Sequence, residues 1–259
     1  MARPRSNNRS TALIRAGAAD EEARFLASYD AGAYERPSVT VDVALLSVDD
    51  DGVKTVLHAR PEPPFKGKWA LPGGFVRMDE SLDDAAARVL SAKAGIGPVF
   101  LEQLYTFGAP RRDPRTRVIS VAYYALVDRH RLDAVAPSVA IARIDVPWEH
   151  ETGGAVVALG ADDRPLDLAF DHAEILGTAI KRIRGKLDYT PIGFQLLPER
   201  FTLLELQRIH EAVLGRPLNK DSFRRRILAS GQLEATGAYQ EAVDHRPAEL
   251  YRFARRSAV

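Results

Sequence analysis

"GGFVRMDESLDDAAARVLSAKAGI", residues 73 to 96, decides how the first two-thirds of the chain is read. A pair of glycines opens it. Ser81 followed three residues later by Asp84 is a helix-start signal, a short oxygen side chain with an acceptor at the third helical position. Helix formers continue to Ala94, and Gly95 stands where a helix C-cap takes a left-handed residue. The stretch therefore predicts a glycine loop that feeds a helix. Gly74, Glu80, Arg88, Leu90, Gly95 and Ile96 punctuate it.

Working outward, "SVTVDVALLSV" (38–48) puts Val39, Val41, Val43 and Leu45 at strand period, "DDDG" turns, and "KTVLHAR" (54–60) returns, which is a hairpin. "PVFLEQLYTF" and "TRVISVAYYALV" predict strands around a polar loop, "GAPRRDPR", and "GAVVAL" (154–159) predicts another. "FDHAEILGTAIKRIRGKL" predicts a long helix with Asp171 and Glu174 as its cap. Upstream, "DEEARFLASY" (20–29) reads as a short amphipathic helix, and residues 1–19 as a disordered basic tail with no apolar core behind its arginines.

The character changes near residue 192. "TLLELQRIHEAVLG" and "NKDSFRRRILASG" are two helices joined by "RPLN", followed by the strand candidates "QLEAT" and "AELYRF". Two helices, a tight turn and a two-stranded tail describe a winged helix-turn-helix, whose second helix enters the major groove. Residues 193–259 carry 11 Lys+Arg against 8 Asp+Glu, although the whole chain is only +1. Arginine reads guanine and grips phosphate. Asn219, Lys220, Ser222, Arg224, Arg225 and Arg226 on the second helix, Thr202 ahead of the first, and Arg246 in the wing loop are the expected DNA contacts. Phe223, Ile227 and Leu228 are expected to anchor that helix. The alternative is a small helical dimerisation module with a solvated basic face.

The chain has 259 residues, 46% hydrophobic and 27% charged, and no cysteine. Disulfides, thiolate metal sites and a cysteine nucleophile are excluded. No run approaches the roughly 18 apolar residues of a membrane span, so a cytoplasmic protein with no membrane partner is expected.

The spaced residues of 73–96 resemble the Nudix box, Gly-x5-Glu-x7-Arg-Glu-U-x-Glu-Glu-x-Gly-U with U aliphatic. That family cleaves diphosphates with divalent cations held by glutamates. The resemblance carries Gly74, Glu80, Arg88, Leu90, Gly95 and Ile96 over intact and implies that Glu80 and Arg88 pair. The three late glutamates are here Val89, Ala92 and Lys93. The frame survives without its carboxylates, and neither a catalytic residue nor a metal ligand is assigned.

A degenerate Nudix domain followed by "LLPERFTLLELQRIHEAVLGRPLNKDSFRRRILASG" resembles the NrtR family, Nudix-related transcriptional regulators of NAD biosynthesis. The resemblance implies an α/β (α+β) chain: a Nudix-like α/β/α sandwich over residues 20–192, then a winged helix-turn-helix over 193–259. It implies a homodimeric repressor that needs no cofactor, senses ADP-ribose as its effector and binds palindromic double-stranded operator DNA. Expected ligand residues are Arg60, Trp69, Gly73, Gly74, Glu80, Lys93, Arg111, Arg112 and Asp113, with Arg115 and Arg117 in the same loop. Each has a plainer role open to it: a solvated surface loop for the arginines, core packing for Trp69, an ion pair with Glu80 for Lys93. For His172, in the first turn of its helix, a structural role is favoured. Two other functions stay open: an active ADP-ribose pyrophosphatase drawing on Glu102 or Glu149, and an inert Nudix module whose C-terminal part binds protein.

Overall fold

A computed structural model describes residues 20–136, 138–187, 195–241 and 247–254. Contacts divide the chain into residues 1–36 and 37–259. In the first unit, helix α1 (20–28) is exposed throughout. A 3₁₀ turn, Ala31–Ala33, follows, and Asp30 caps it by accepting from the Gly32 amide.

The second unit is built on a mixed sheet in the order β5-β6-β1-β2-β7-β8. Its strands are β1 (Ser38–Asp49), β2 (Gly52–Ala59), β5 (Glu102–Phe107), β6 (Val118–Leu126), β7 (Val139–Asp145) and β8 (Val157–Leu159). β1 and β6 run parallel, and the other neighbours on this path are antiparallel. β1 is apolar on both faces, as a central strand must be. Val41, Val43 and Leu45 face helix α2 (Leu82–Ala94) with Ala85, Ala86, Val89 and Leu90. Ala44, Leu46 and Val48 face the opposite layer, where α3 (His172–Lys186) lies with Ile175, Leu176, Ala179 and Ile180. This is the α/β/α sandwich expected from the sequence.

Two short strands fork the sheet. β3 (Trp69–Ala70) pairs with the far end of β2, His58 opposite Ala70, while β4 (Gly73–Phe75) pairs with the start of β1, Asp42 opposite Gly73. Gly73 cannot carry a side chain, because a Cβ there would run into the Asp42 carboxylate and the Val41 carbonyl.

The winged part comprises α4 (Leu203–Leu214), α5 (Lys220–Ala229) and the hairpin of β9 (Leu233–Tyr239) and β10 (Glu249–Phe253). α4 packs against β1 and β2. Leu206, Ile209 and Val213 of α4, Phe223 and Ile227 of α5, and Tyr251 and Phe253 of the wing join the same apolar cluster as α3. Phe201, fully buried, stacks near Phe253 with ring centroids 4.9 Å apart.

Several expectations change in detail. β7 was not expected: its buried residues are Ala142, which is small, and Ile144, while Ile141 is apolar yet 40% exposed, so no clean apolar alternation marks it. The strand expected over 154–159 begins only at Val157, because Gly154 takes φ 132° and its carbonyl lies where a Cβ on Gly177 of α3 would stand. Asp171 is the N-cap of α3 but makes no capping bond, its carboxylate being held by Arg112. Leu228 is 41% exposed and does not anchor α5. Among the described residues no helix is long and apolar enough to cross a membrane.

Candidate functional site

Ser81 caps α2 by accepting from the Asp84 amide, and Gly95 closes the helix at φ 72°. Ahead of it, the Arg88 guanidinium grips Glu80 with both Nε (2.8 Å) and Nη2 (2.5 Å) and also donates to the Phe75 carbonyl (3.1 Å). Glu80 in turn accepts from the Arg77 amide (2.9 Å). The loop is thus pinned to the helix by a two-point charged fork, as the sequence led one to expect. The Arg88 bond, burial opposing it, holds the Glu80 carboxyl down at about 2.

At the sheet fork lies a cleft of about 170 Å³, bounded by Asp42, Gly73 and Gly74 on one prong and His58, Arg60 and Ala70 on the other. Lys93, Arg112, Asp113, Arg115, Phe170 and His172 complete its wall. Asp42 is 6% exposed, takes the Ser120 hydroxyl at 2.5 Å, and lies 3.5 Å from Arg112 and 3.6 Å from His172. The Leu71 amide donates to His172 Nδ1 (3.0 Å), so the ring proton sits on Nε2, facing Asp42. Burial lowers the His172 pKa and keeps it neutral. The ring is thus held between the Leu71 amide and Asp42 at the back of the cleft wall.

The expected ligand residues divide. Arg60, Gly73, Gly74, Lys93, Arg112, Asp113 and, beyond the block of Arg111 to Asp113, Arg115 line the cleft. Of these Arg112 is committed elsewhere: its side chain is 4% exposed and clamps Asp171 through Nε (2.8 Å) and Nη2 (2.6 Å). It braces α3 against the loop instead of presenting a free fork. Arg115 is likewise paired, to Asp113 at 2.7 Å, and its guanidinium lies 5.3 Å from the Phe75 ring. Arg117 donates to the Gly108 and Ala109 carbonyls, and Arg111 is exposed outside the cleft wall. Trp69 packs against the α3 core instead of the cleft. Glu80 belongs to the brace described above and not to the cleft wall.

Lys93 does not pair with Glu80, which Arg88 already occupies. Its ammonium stands 3.5 Å from His58 Nε2. Burial lowers the Lys93 pKa, Asp42 opposing and Arg60 adding to the effect. Burial, then the Lys93 charge, lowers that of His58. The cleft is cationic, with the Asp42 carboxylate buried in its wall.

Asp42, His58, Ser120 and Phe170 were not foreseen. Asp42 had a signal: a lone carboxylate inside the β-branched run "SVTVDVALL", where a buried charge needs partners. Phe170, at φ 54°, sits 4.8 Å beneath the Arg60 guanidinium and gave none. Glu102 is bound to Lys186 and Tyr124 on the α3 side, away from the cleft. Glu149 is exposed and also lies outside the cleft wall.

In the winged part, Asn219 caps α5 by accepting from the Ser222 amide. Lys220, Ser222, Arg224, Arg225 and Arg226 are all exposed on that helix, whose Phe223 and Ile227 are buried. Thr202, expected at DNA, is instead 3% exposed: it exchanges hydrogen bonds with Glu205 in a reciprocal cap of α4. Arg246 lies outside the described residues, and Tyr239, at the end of β9, is 57% exposed.

Comparison with known proteins agrees with both halves. Residues 37–143 match the Nudix domain model, and residues 193–253 match the model of the NrtR DNA-binding winged helix domain. The chain is 40% identical over 235 residues to the ADPR responsive transcriptional repressor NtrR of Acinetobacter baylyi, covering 90% of this chain and 88% of that protein. Among solved structures, Shewanella oneidensis NrtR complexed with a 27mer DNA matches at 35% identity and a TM-score of 0.66, over 83% of this chain and 93% of that one. A MutT/nudix family protein from Enterococcus faecalis matches at 29% identity and a TM-score of 0.70, over 90% and 93%. With a Nudix fold, a winged helix behind it and these relatives over most of its length, the chain belongs to the NrtR family.

Proposed function

We propose that this protein is a cytoplasmic, homodimeric repressor of NAD-biosynthesis genes. It senses ADP-ribose in the Nudix cleft and binds palindromic operator DNA through α5 and the wing. Residues 20–192 act as the sensing part and 193–259 as the DNA-binding part. The observation that carries the reading is the pairing within one packed unit of a cationic cleft with a helix that turns Arg224, Arg225 and Arg226 to solvent. The Acinetobacter repressor named for its ADPR response, and the Shewanella protein held on DNA, support assigning those two halves to effector and operator.

The same cleft supports binding without hydrolysis. Where the Nudix box would supply carboxylates, Val89 is buried in the α2 core, Ala92 has no polar group and Lys93 carries a positive charge. A sensor that consumed its effector would erase its own signal. Effector binding releases DNA only if it favours an arrangement of the two winged helices that the operator does not fit.

The test is a fluorescence-anisotropy titration on a duplex selected from a random pool by the protein itself, with and without ADP-ribose, alongside a magnesium-dependent hydrolysis assay. Release of the duplex with no turnover is expected. Unchanged DNA affinity at saturating ADP-ribose, or efficient hydrolysis, refutes the sensor reading.

A further inference from the structure

We propose that the cleft takes the diphosphate of its ligand directly, without a divalent metal, through the Lys93 ammonium and the Arg60 guanidinium. The inference rests on the effector reading above and specifies how that site achieves charge balance.

The cations and anions of the cleft wall do not cancel. Arg112 is neutralised by Asp171, and Arg115 by Asp113. Asp42 is shared among the Ser120 hydroxyl, Arg112 and His172. Among the described residues, neither Lys93 nor Arg60 forms an ion pair. Lys93 spends one donor on the neutral His58 ring at 3.5 Å. Arg60 spends its Nε on the Pro64 carbonyl at 2.7 Å and rests its planar face on Phe170, leaving both terminal nitrogens without a partner there. Two partly desolvated cations aimed into one cavity are costly unless an anion joins them. A diphosphate supplies that charge together with the missing acceptors, the planar fork of Arg60 and the point charge of Lys93 gripping it differently.

The donor set is wrong for a metal. Magnesium and calcium require several free oxygens, and the two carboxylates of the wall, Asp42 and Asp113, are already held by arginines. Lys93 repels a second cation as well. Size gives the same assignment. About 170 Å³ is small beside the roughly 300–1,000 Å³ of a pocket enclosing a whole drug-sized ligand. The cleft therefore holds the diphosphate, and the remainder of the molecule lies over the rim beside Phe75, which is 46% exposed.

Calorimetry on the full-length chain tests this, with ADP-ribose and, separately, inorganic diphosphate, each in excess EDTA and in excess magnesium. Wild-type affinity for ADP-ribose should be the same in both conditions within about twofold. Lys93→Met should weaken it by about 10- to 100-fold, the loss of one charged hydrogen bond. Lys93→Glu should abolish binding in EDTA and regain part of it in magnesium. Thermal melts establish that each variant is folded. Wild-type binding that EDTA removes, or a folded Lys93→Met that binds normally, overturns the inference while leaving ADP-ribose as the effector. If ADP-ribose is silent but inorganic diphosphate binds in EDTA and depends on Lys93, the effector reading falls and the metal-free site stands. Silence of both ligands overturns both.

Discussion

Arg184, near the end of α3, donates from Nε to the Val213 carbonyl in the last turn of α4, 2.8 Å away. Its Nη1 reaches the Trp148 and His150 carbonyls at 3.2 and 2.9 Å, and the guanidinium lies 4.7 Å from the Trp148 ring. At 6% exposed, one side chain thereby ties the Nudix sandwich to the winged part at a helix C-terminus, where a cation is favoured. α3 thus has its first turn in the cleft wall, at His172, and its last turn on α4. Arg184→Met leaves three carbonyls short of a donor and should destabilise the protein by about 2–4 kcal/mol. Native-state hydrogen exchange should show the loss concentrated in α4 and α5, with β1 and β6 still protected. Equal deprotection of every element would mean that Arg184 is an ordinary core contact and not the tie.

How much of this could be read from the sequence depends on how local the determinants are. The loop and helix of 73–96 were legible because cap, charged fork and C-cap glycine lie within that stretch. The winged helix was legible from helix periodicity and turn length. What stayed hidden was set across the fold. Arg112 looked like a phosphate ligand until Asp171, 59 residues on, proved to hold it. Thr202 looked polar and available, yet it is buried and spent on the reciprocal cap with Glu205. β7 was invisible because small Ala142 shares its buried face with Ile144 while apolar Ile141 faces outward. The cleft itself depends on β3 and β4 prising β1 from β2, which no local pattern encodes.

The Glu80–Arg88 fork gives a pH signature. Glu80 titrates at about 2 in the folded chain against an ordinary 4.5. Its folded pKa is depressed, so its contribution is fully present above about 4.5 and is lost as pH falls toward about 2. Glu80→Gln should therefore melt below wild type at pH 7, with the gap narrowing as pH drops from 4.5 to 2. Melting scans of both proteins check it. A gap independent of pH would assign the effect to the loop and not to the charge.

Arg112 should behave as a brace. Removing it leaves Asp171 and Asp42 short of their counter-charge in a buried setting, where breaking a pair costs about 3–5 kcal/mol. Arg112→Met should be unstable by that order, and adding Asp171→Asn should recover part of the loss. Urea denaturation of the two single variants and the double variant gives the coupling. Strict additivity would mean the two side chains are independent despite their 2.6 Å approach.

On α5 the three arginines should not be equivalent. At about 100° per residue, Arg225 lies about 180° from the midpoint of Phe223 and Ile227, the buried pair, while Arg224 and Arg226 stand about 80° to either side. Arg225 therefore points straight away from the core, beside Ser222. Arg224 turns toward the wing, where it interacts with Tyr251, whose hydroxyl Glu249 holds at 2.8 Å. A helix seated in the major groove meets bases along its outward line and phosphates along its flanks. Arg225→Ala should accordingly cost about 1–3 kcal/mol on the selected duplex and relax preference at one base position. Arg224→Ala should weaken binding similarly on all sequences and lower the slope of log affinity against log salt by about one. Anisotropy titrations across a potassium chloride series, on the selected duplex and on a scrambled one, separate the two effects. If both variants lose the same affinity with the same salt slope on both duplexes, α5 rests on the backbone without reading bases.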